Sequence, residues 1–175
     1  MTSVLFVCTG NICRSPVAER IARQIAAEYG VAVSFTSAGV GAMNGAPMHP
    51  LAAETLVEHG YDPSGFGARY LQPPIAAQAD LVLTMSRRQR GECQKKLPAG
   101  WKKMFTLNEF VELLPDADSI VAAANTRGRV NPNAEYLDIA DPMGQPKEAF
   151  DTVFIKVEPR VRALVGWLAA TSQAR

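Results

Sequence analysis

The chain has 175 residues, 47% hydrophobic and 20% charged, and its 18 Lys and Arg stand against 17 Asp and Glu for a formal net charge of +1. These figures describe one globular domain with a real core and exclude a disordered chain or a fibre. A charge balance this even also gives no long-range attraction to nucleic acid or anionic lipid.

No apolar run approaches the ~18 residues that a membrane span needs. The first residues carry neither a charged leader nor a cleavage site, so export is not expected. Three cysteines, Cys8, Cys13 and Cys93, are an odd number and predict reduced thiols in a cytoplasm rather than a disulfide framework. They form no CxxC pair, and His49 and His59 stand far from them in sequence, so zinc is not expected, and no cofactor is called for.

Ser3–Val7 is a short apolar run, β-branched and aromatic, and predicts a strand buried on both faces. Ser15-Pro16 predicts a helix start, with Ser15 as N-cap and Pro16 as the first helical residue. Val17, Ile21 and Ile25 recur every four residues along one face of that helix, and Gly30 ends it. A second strand is expected over Val31–Thr36, followed by Ser37-Ala38-Gly39 and a glycine-rich loop to about Pro50. Leu51–His59 reads as a short helix stopped by Gly60, Asp80–Thr84 as the third strand and Arg87–Lys96 as the third helix. Lys102–Thr106 is a weaker fourth strand and Asn108–Leu114 a brief helix. Residues 115–140 carry no clear period, and Asn125–Asn133 reads as loop. Phe150, Val153, Phe154, Val157, Val161, Leu164, Val165 and Leu168 follow at helical spacing, with Pro159 predicting a kink or a break.

This alternation predicts an α/β fold. It is a single three-layer domain over residues 1–175, a four-stranded parallel sheet with helices on both faces and right-handed crossovers. Ligands bind such sheets at the carboxyl ends of the strands, near the switch in strand order. The segment after the first strand is Cys8-Thr9-Gly10-Asn11-Ile12-Cys13-Arg14-Ser15-Pro16. A Cys and an Arg bracketing five residues are weak evidence alone. Here they lie between a buried strand and a helix start, with Gly10 and Asn11 tolerating unusual backbone angles. Such a loop can turn its N–H groups inward as a nest for a phosphate dianion, over Thr9, Gly10, Asn11, Ile12, Cys13 and Arg14, aided by the positive end of the helix. Arg14 adds a fork that matches two phosphate oxygens. Cys8, at the floor of this positive cup, is expected to be held as the thiolate, a nucleophile aimed at phosphorus, with Ser15 donating a hydrogen bond to it. The nucleotide-binding pattern GxxxxGK[ST] is absent.

Val4-Leu5-Phe6-Val7-Cys8-Thr9-Gly10-Asn11-Ile12-Cys13-Arg14-Ser15-Pro16-Val17-Ala18-Glu19 resembles the N-terminal signature of the low-molecular-weight protein tyrosine phosphatases. The likeness continues at Ser37-Ala38-Gly39, Ala68-Arg69, Ala79–Met85 and Asp141-Pro142. It implies metal-free hydrolysis of phosphomonoesters through a cysteinyl-phosphate intermediate. Cys8 would be the nucleophile, Arg14 the phosphate clamp and Asp141 the general acid, with Asn11, Ser15 and Ser37 bracing the loop. A carboxylic acid at Asp141 would protonate the leaving oxygen and then activate water, giving a bell-shaped pH profile. Asp138 is the fallback acid. Cys13, five residues beyond Cys8, either bridges to it on oxidation, if the loop is wound tightly, and so protects it, or merely packs.

The chain also departs from the family pattern. Met143-Gly144 follow Asp141-Pro142 where the tyrosine phosphatases usually carry tyrosines. That change, and Met104–Phe110 upstream, look like the protein arginine phosphatase branch, whereas Ile12 stands where that branch tends to have Thr and favours esters. Residues 115–136 read as a family-specific insertion, a lid or a substrate wall. The expected substrate is protein phosphotyrosine, with phosphoarginine or a small phosphomonoester as alternatives. Thiol-dependent arsenate reductase and a non-enzymatic phosphate-binding module are remote ones. No nucleic-acid or membrane partner is expected, and the oligomeric state is open. Arg87, Arg88, Arg90, Lys95, Lys96, Lys102 and Lys103 read as a solvated face, and His49 and His59 as structural.

Overall fold

The computed structural model describes residues 1–173, so Ala174 and Arg175, the end of the expected domain, lie outside the described residues. Four strands form the sheet: β1 (Thr2–Cys8), β2 (Val33–Gly39), β3 (Leu81–Thr84) and β4 (Met104–Thr106). They are parallel in the order β2-β1-β3-β4. The helices are α1 (Arg14–Glu28), α2 (Pro50–Glu58), α3 (Pro73–Gln78), α4 (Arg87–Lys96), α5 (Leu107–Leu113), α6 (Ile120–Thr126) and α7 (Lys147–Gln173). Alternation along β1 splits the core. Val4 and Phe6 face α1 and α7, while Leu5 and Val7 face the layer of Leu71, Ala76 and Cys93. Burial on both faces explains why this strand is continuously apolar. The chain leaves β1 for one neighbour, β2, and returns to the other, β3. Cys8 therefore ends a strand at the switch in strand order, where a crevice opens.

The expected three-layer architecture is observed, with several local differences. Helix α1 begins at Arg14, and Cys13 occupies the N-cap without a side-chain cap bond. Ser15 lies inside the first turn and does not cap the helix, because its hydroxyl is turned onto Cys8. Pro16 still falls among the first positions, whose N–H groups have no intrahelical acceptor. Gly30 closes α1 at φ 64°, as glycine readily does. Strand β2 starts two residues later than expected, because the Val31 N–H is spent on Ala26 O at the helix end. It runs three residues further, pairing Ser37–Gly39 with Phe6–Cys8. The sequence reading passed over α3, whose Pro73-Pro74 opening looks like a helix breaker but suits a first turn. Lys102 and Lys103 close a 3-10 turn ahead of β4, and α5 starts at Leu107 because Thr106 and Glu109 form a capping box. Asn125 and Thr126 finish α6 rather than opening a loop, and Arg127–Arg129 form a 3-10 turn.

Helix α7 passes Pro159 without a break. Pro159 is on the exposed side, and all eight apolar residues on either side of it share one buried face. Packing of that face offsets the single lost backbone bond.

Within residues 115–136, Arg127 meets β4 and α5, and α6 borders the amino ends of the strands. Arg127 donates to Trp101 O and to Met104 O, pairs with Glu109 (Nε to Oε1, 2.8 Å) and lies 3.9 Å over the Phe105 ring. It thereby ties the segment to β4 and covers carbonyls of the sheet's edge strand. Helix α6 shares a cavity of about 540 Å³ with Met1, Thr2 and Asp80, at the amino ends of the strands and away from Cys8. Among the described residues no helix is long and apolar enough to cross a membrane.

Candidate active site

The loop from Cys8 to Arg14 winds back over its own first residue. Asn11 adopts φ 53°, the only positive φ at a non-glycine among the described residues, and this folds its N–H onto Cys8 Sγ at 3.2 Å. Asparagine tolerates that conformation because its short amide bonds locally. Here Asn11 Nδ2 donates to Ser15 Oγ and to Ser37 Oγ, both at 2.9 Å, and Asn11 Oδ1 accepts the Arg69 N–H at 2.8 Å. Ser15 Oγ is in turn 2.9 Å from Cys8 Sγ. Ser37 donates to the buried Glu19, which Arg23 pairs at 2.9 Å. The sulfur is therefore held in a network whose polar members are satisfied, which fixes one geometry.

Around the sulfur, the backbone N–H groups of Gly10, Ile12 and Cys13 have no acceptor among the described residues, and they remain available to an oxyanion at the start of α1. Arg14, 5% exposed, reaches over the cup from the first residue of α1. Its Nη1 donates to Ile139 O at 2.8 Å, and its Nη2 lies 3.5 Å from Asp141 Oδ2. Its Nε is buried without a partner. The β2 end closes the other side, where Val40 N bonds Cys8 O at 3.0 Å and Gly41 N bonds Thr9 O at 2.9 Å. Gly39 is required there. A Cβ on it would lie 2.4 Å from Thr9 O and 2.8 Å from Asn11 N. Both obstacles are loop backbone, so Gly39→Ala is expected to cost about 1–3 kcal/mol or more and to weaken inhibition by inorganic phosphate. Denaturant unfolding and phosphate inhibition measured on that variant check both effects.

The two carboxylates of the acid loop have separate fates. Asp138 accepts the Arg87 N–H at 2.7 Å and the Arg87 guanidinium at 2.8–3.2 Å. Hydrogen bonds from Arg87 hold its carboxyl below the usual carboxylate range. The stability it contributes is present above the unfolded carboxylate value near ~3.9 and is lost as pH falls through the lowered folded value. A committed, ionised carboxylate cannot serve as the fallback acid. Asp141 is half exposed and sits at the mouth beside Arg14, with its Oδ1 accepting the Met143 N–H at 3.1 Å. The structure thus brings Cys8, Arg14 and Asp141 together, with Ser15, Ser37 and Asn11 beneath them.

Cys13 is buried and donates to Met143 Sδ at 3.4 Å. Burial first, then the neighbouring Cys8 and Asp141, push its thiol up to about 12, and burial pushes Cys93 up to about 12 as well. Both stay protonated at neutral pH and are poor nucleophiles. In a Cys8→Ser protein, iodoacetamide at pH 8 is expected to label no cysteine in the native state and two after unfolding. Mass spectrometry reads this directly.

His49 caps α2, its Nδ1 accepting the Leu51 N–H at 3.1 Å, and stacks on Phe150; His59 bonds Thr55 O and stacks on Phe154. Both are structural. Three contributors were not assigned roles from sequence, Glu19, Arg69 and Gln89, the last donating to Thr9 Oγ1 at 3.1 Å, and a fourth, Arg87, expected on a solvated face, is instead paired with Asp138. Each acts through a contact distant in the chain. Only the Glu19 and Arg69 positions lay within recognisable motifs.

Comparison with known proteins agrees with this geometry. The low molecular weight phosphotyrosine protein phosphatase family matches over residues 3–122. The Ralstonia nicotianae protein named "Probable low molecular weight protein-tyrosine-phosphatase EpsP" is 34% identical over 169 residues, covering 93% of this chain and 97% of that one. Among solved structures, the YwlE arginine phosphatase from Geobacillus stearothermophilus superposes with a TM-score of 0.80 at 27% identity, over 100% of this chain and 97% of that one. A low molecular weight protein tyrosine phosphatase from T. tengcongensis does so with a TM-score of 0.78 at 32% identity, over 95% and 99%. The cup around Cys8 is therefore that of a cysteine-dependent phosphatase, and the chain belongs to the low molecular weight phosphotyrosine protein phosphatase family.

Proposed function

We propose that the protein hydrolyses phosphotyrosine on proteins through a phosphoryl group carried on Cys8. The observation that supports this most is the sulfur at the floor of the cup, bonded by Asn11 N and Ser15 Oγ, with Asp141 across the mouth beside Arg14. The phosphate dianion is taken by the free loop amides and the Arg14 fork. Ionised Cys8 attacks phosphorus in line. The P–O ester bond breaks, and the leaving oxygen takes the proton of Asp141. Water then attacks the thiophosphate while the Asp141 carboxylate accepts its proton, which releases phosphate and restores both groups.

The rim is apolar and lacks an aromatic wall. Ile12 is half-buried, Met143 is 47% exposed, and Met43 lies on the loop that leans on Thr9. Thioethers make favourable contacts with ring edges, which suits a phenyl group. A second reading is phosphoarginine. The Met143-Gly144 pair and the likeness to an arginine phosphatase along the whole chain favour it. Side-by-side kcat/KM values on a phosphotyrosine peptide, a phosphoarginine peptide and small alkyl phosphates test the assignment. Preference for phosphotyrosine supports it, and preference for either of the others replaces it.

Oxidative control by Cys13 belongs to the same reading. Peroxide would convert the Cys8 sulfur to a sulfenic acid, and the Cys13 thiol would then displace water to form a disulfide. Cys13 must first leave Met143 Sδ.

A further inference from the structure

The acid loop is anchored most firmly at its N-terminal end. Behind Ile139, Ala140, Asp141 and Pro142 is a cavity of about 190 Å³, bounded by Ala149, Thr152, Val153 and Lys156 of α7, so packing leaves the loop's back unsupported. The anchors that fix its direction are on the N-terminal side; beyond Asp141, Pro142 is buried and Met143 Sδ meets the Cys13 thiol. Arg87 grips Asp138 through its backbone N–H, Nε and Nη2; Ile139 N bonds Met85 O at 2.8 Å; and Arg14 bonds Ile139 O. Asp141 then extends three residues beyond Asp138, with the Met143 N–H on Oδ1 and Arg14 Nη2 3.5 Å from Oδ2 as its recorded partners.

The corner between β3 and α4 that supplies Met85 and Arg87 also holds the cup. Met85 N bonds Val7 O at 2.9 Å, and Gln89 accepts from Met85 N while donating to Thr9 Oγ1. One short corner thus touches both the nucleophile's loop and the acid's loop. The Arg87–Asp138 pair is partly exposed, at 29% and 36% of the side chains, and such pairs add little stability. What the forked contact supplies is a fixed direction for the chain leaving Asp138.

We propose that Arg87 is a positioning residue for proton donation: by clamping Asp138 it sets where Asp141 stands relative to a phosphoryl group on Cys8. This rests on the reading of Asp141 as general acid. A misplaced acid slows proton transfer, and a displacement of an ångström costs up to about 10²-fold. The cost falls only on substrates whose leaving group needs the proton.

The experiment compares wild type, Arg87→Ala, Arg87→Lys, Asp138→Asn and Asp141→Asn on p-nitrophenyl phosphate and on phenyl phosphate, reading kcat/KM, with inhibition by inorganic phosphate alongside. Asp141→Asn is expected to lose far more on phenyl phosphate than on the nitrophenyl ester. Arg87→Ala and Asp138→Asn are expected to reproduce that bias, losing about 10-fold or more on phenyl phosphate and only a few-fold on the other, with phosphate inhibition unchanged. Arg87→Lys recovers part of the loss. Combining Arg87→Ala with Asp141→Asn adds little, because the acid it positions is gone. An equal loss on both esters, or none, in Arg87→Ala and Asp138→Asn while Asp141→Asn keeps its bias would overturn the positioning role alone. Asp141→Asn without any bias would instead remove the acid assignment, and the proposal with it. Asp138→Asn keeps shape and one acceptor, so it reports even where Arg87→Ala folds poorly.

Discussion

Cys8→Ser is expected to lower kcat/KM on every phosphomonoester by about 10⁴-fold or more, while the protein still binds phosphate within a few-fold of wild-type affinity. The sulfur is 2% exposed and takes a hydrogen bond from Asn11 N. A serine hydroxyl is smaller, reaches less far toward phosphorus and is far harder to ionise than a thiol. Beyond the Asn11 N–H and the Ser15 hydroxyl, to which a serine oxygen can still bond, no contact of the cup is made to sulfur. The loop amides are backbone, Arg14 is anchored on Ile139 O, and Asn11 is braced by Ser37 and Arg69. Rate and affinity should therefore separate. Steady-state rates give the first and calorimetric titration of the variant with phosphate gives the second. A Cys8→Ser protein that turned over p-nitrophenyl phosphate at the wild-type rate would end the covalent route. One that lost phosphate binding as well would show the sulfur to be part of the cup's architecture.

That separation explains why the cup was legible in the sequence and its surroundings were not. The cup is local: a buried strand, five residues that include Gly10 and Asn11, an arginine and a helix start lie consecutively, and each declares its geometry through its own chemistry. Helix α4, capped by Ser86 and ending at Leu97, is equally local, and its expected limits match the structure. Ser15 shows where local chemistry misleads. A serine before a proline is the expected cap, yet a sulfur seven residues upstream claims its hydroxyl. The choice between Asp138 and Asp141 is worse placed for sequence reasoning, because the two look alike three residues apart. What separates them is Arg87, 51 positions away, which neutralises one and leaves the other at the mouth.

The 115–136 segment failed for a similar reason. Its patterning is weak because what holds it is the Arg127–Glu109 pair and a cover over β4, which are contacts of tertiary structure without a period. Helix α6 within it borders the amino ends of the strands, while Tyr136 meets Asn108 and Glu112 of α5. Substrate choice stays the least legible property. The residues proposed to bear on it, Ile12, Met43 and Met143, are apolar groups that no spacing rule connects.

Arg14→Lys is expected to lower kcat/KM by about 10²–10³-fold and to weaken inhibition by inorganic phosphate by about 10-fold or more. The substitution keeps the positive charge, so the loss measures geometry. The guanidinium is expected to do two tasks at once: Nη1 holds Ile139 O at 2.8 Å and Nη2 lies 3.5 Å from Asp141 Oδ2, while the buried Nε has no partner and leaves donor capacity for phosphate oxygens. An ammonium is a single point. If it stays on Ile139 O, the oxyanion loses its clamp; if it turns to the oxyanion, the acid loop loses an anchor. Both outcomes reduce turnover, and the pattern tells them apart. Loss of the clamp weakens phosphate inhibition and falls equally on esters with good and poor leaving groups. Loss of the anchor leaves inhibition near wild type and falls on poor leaving groups, as for Asp141→Asn. The buried orphan donor and the 5% exposure of Arg14 point to the first, because a retracted ammonium keeps its bond to Ile139 O and leaves the phosphate to the loop amides. Unchanged turnover together with unchanged inhibition would mean that Arg14 holds the loop and never touches substrate.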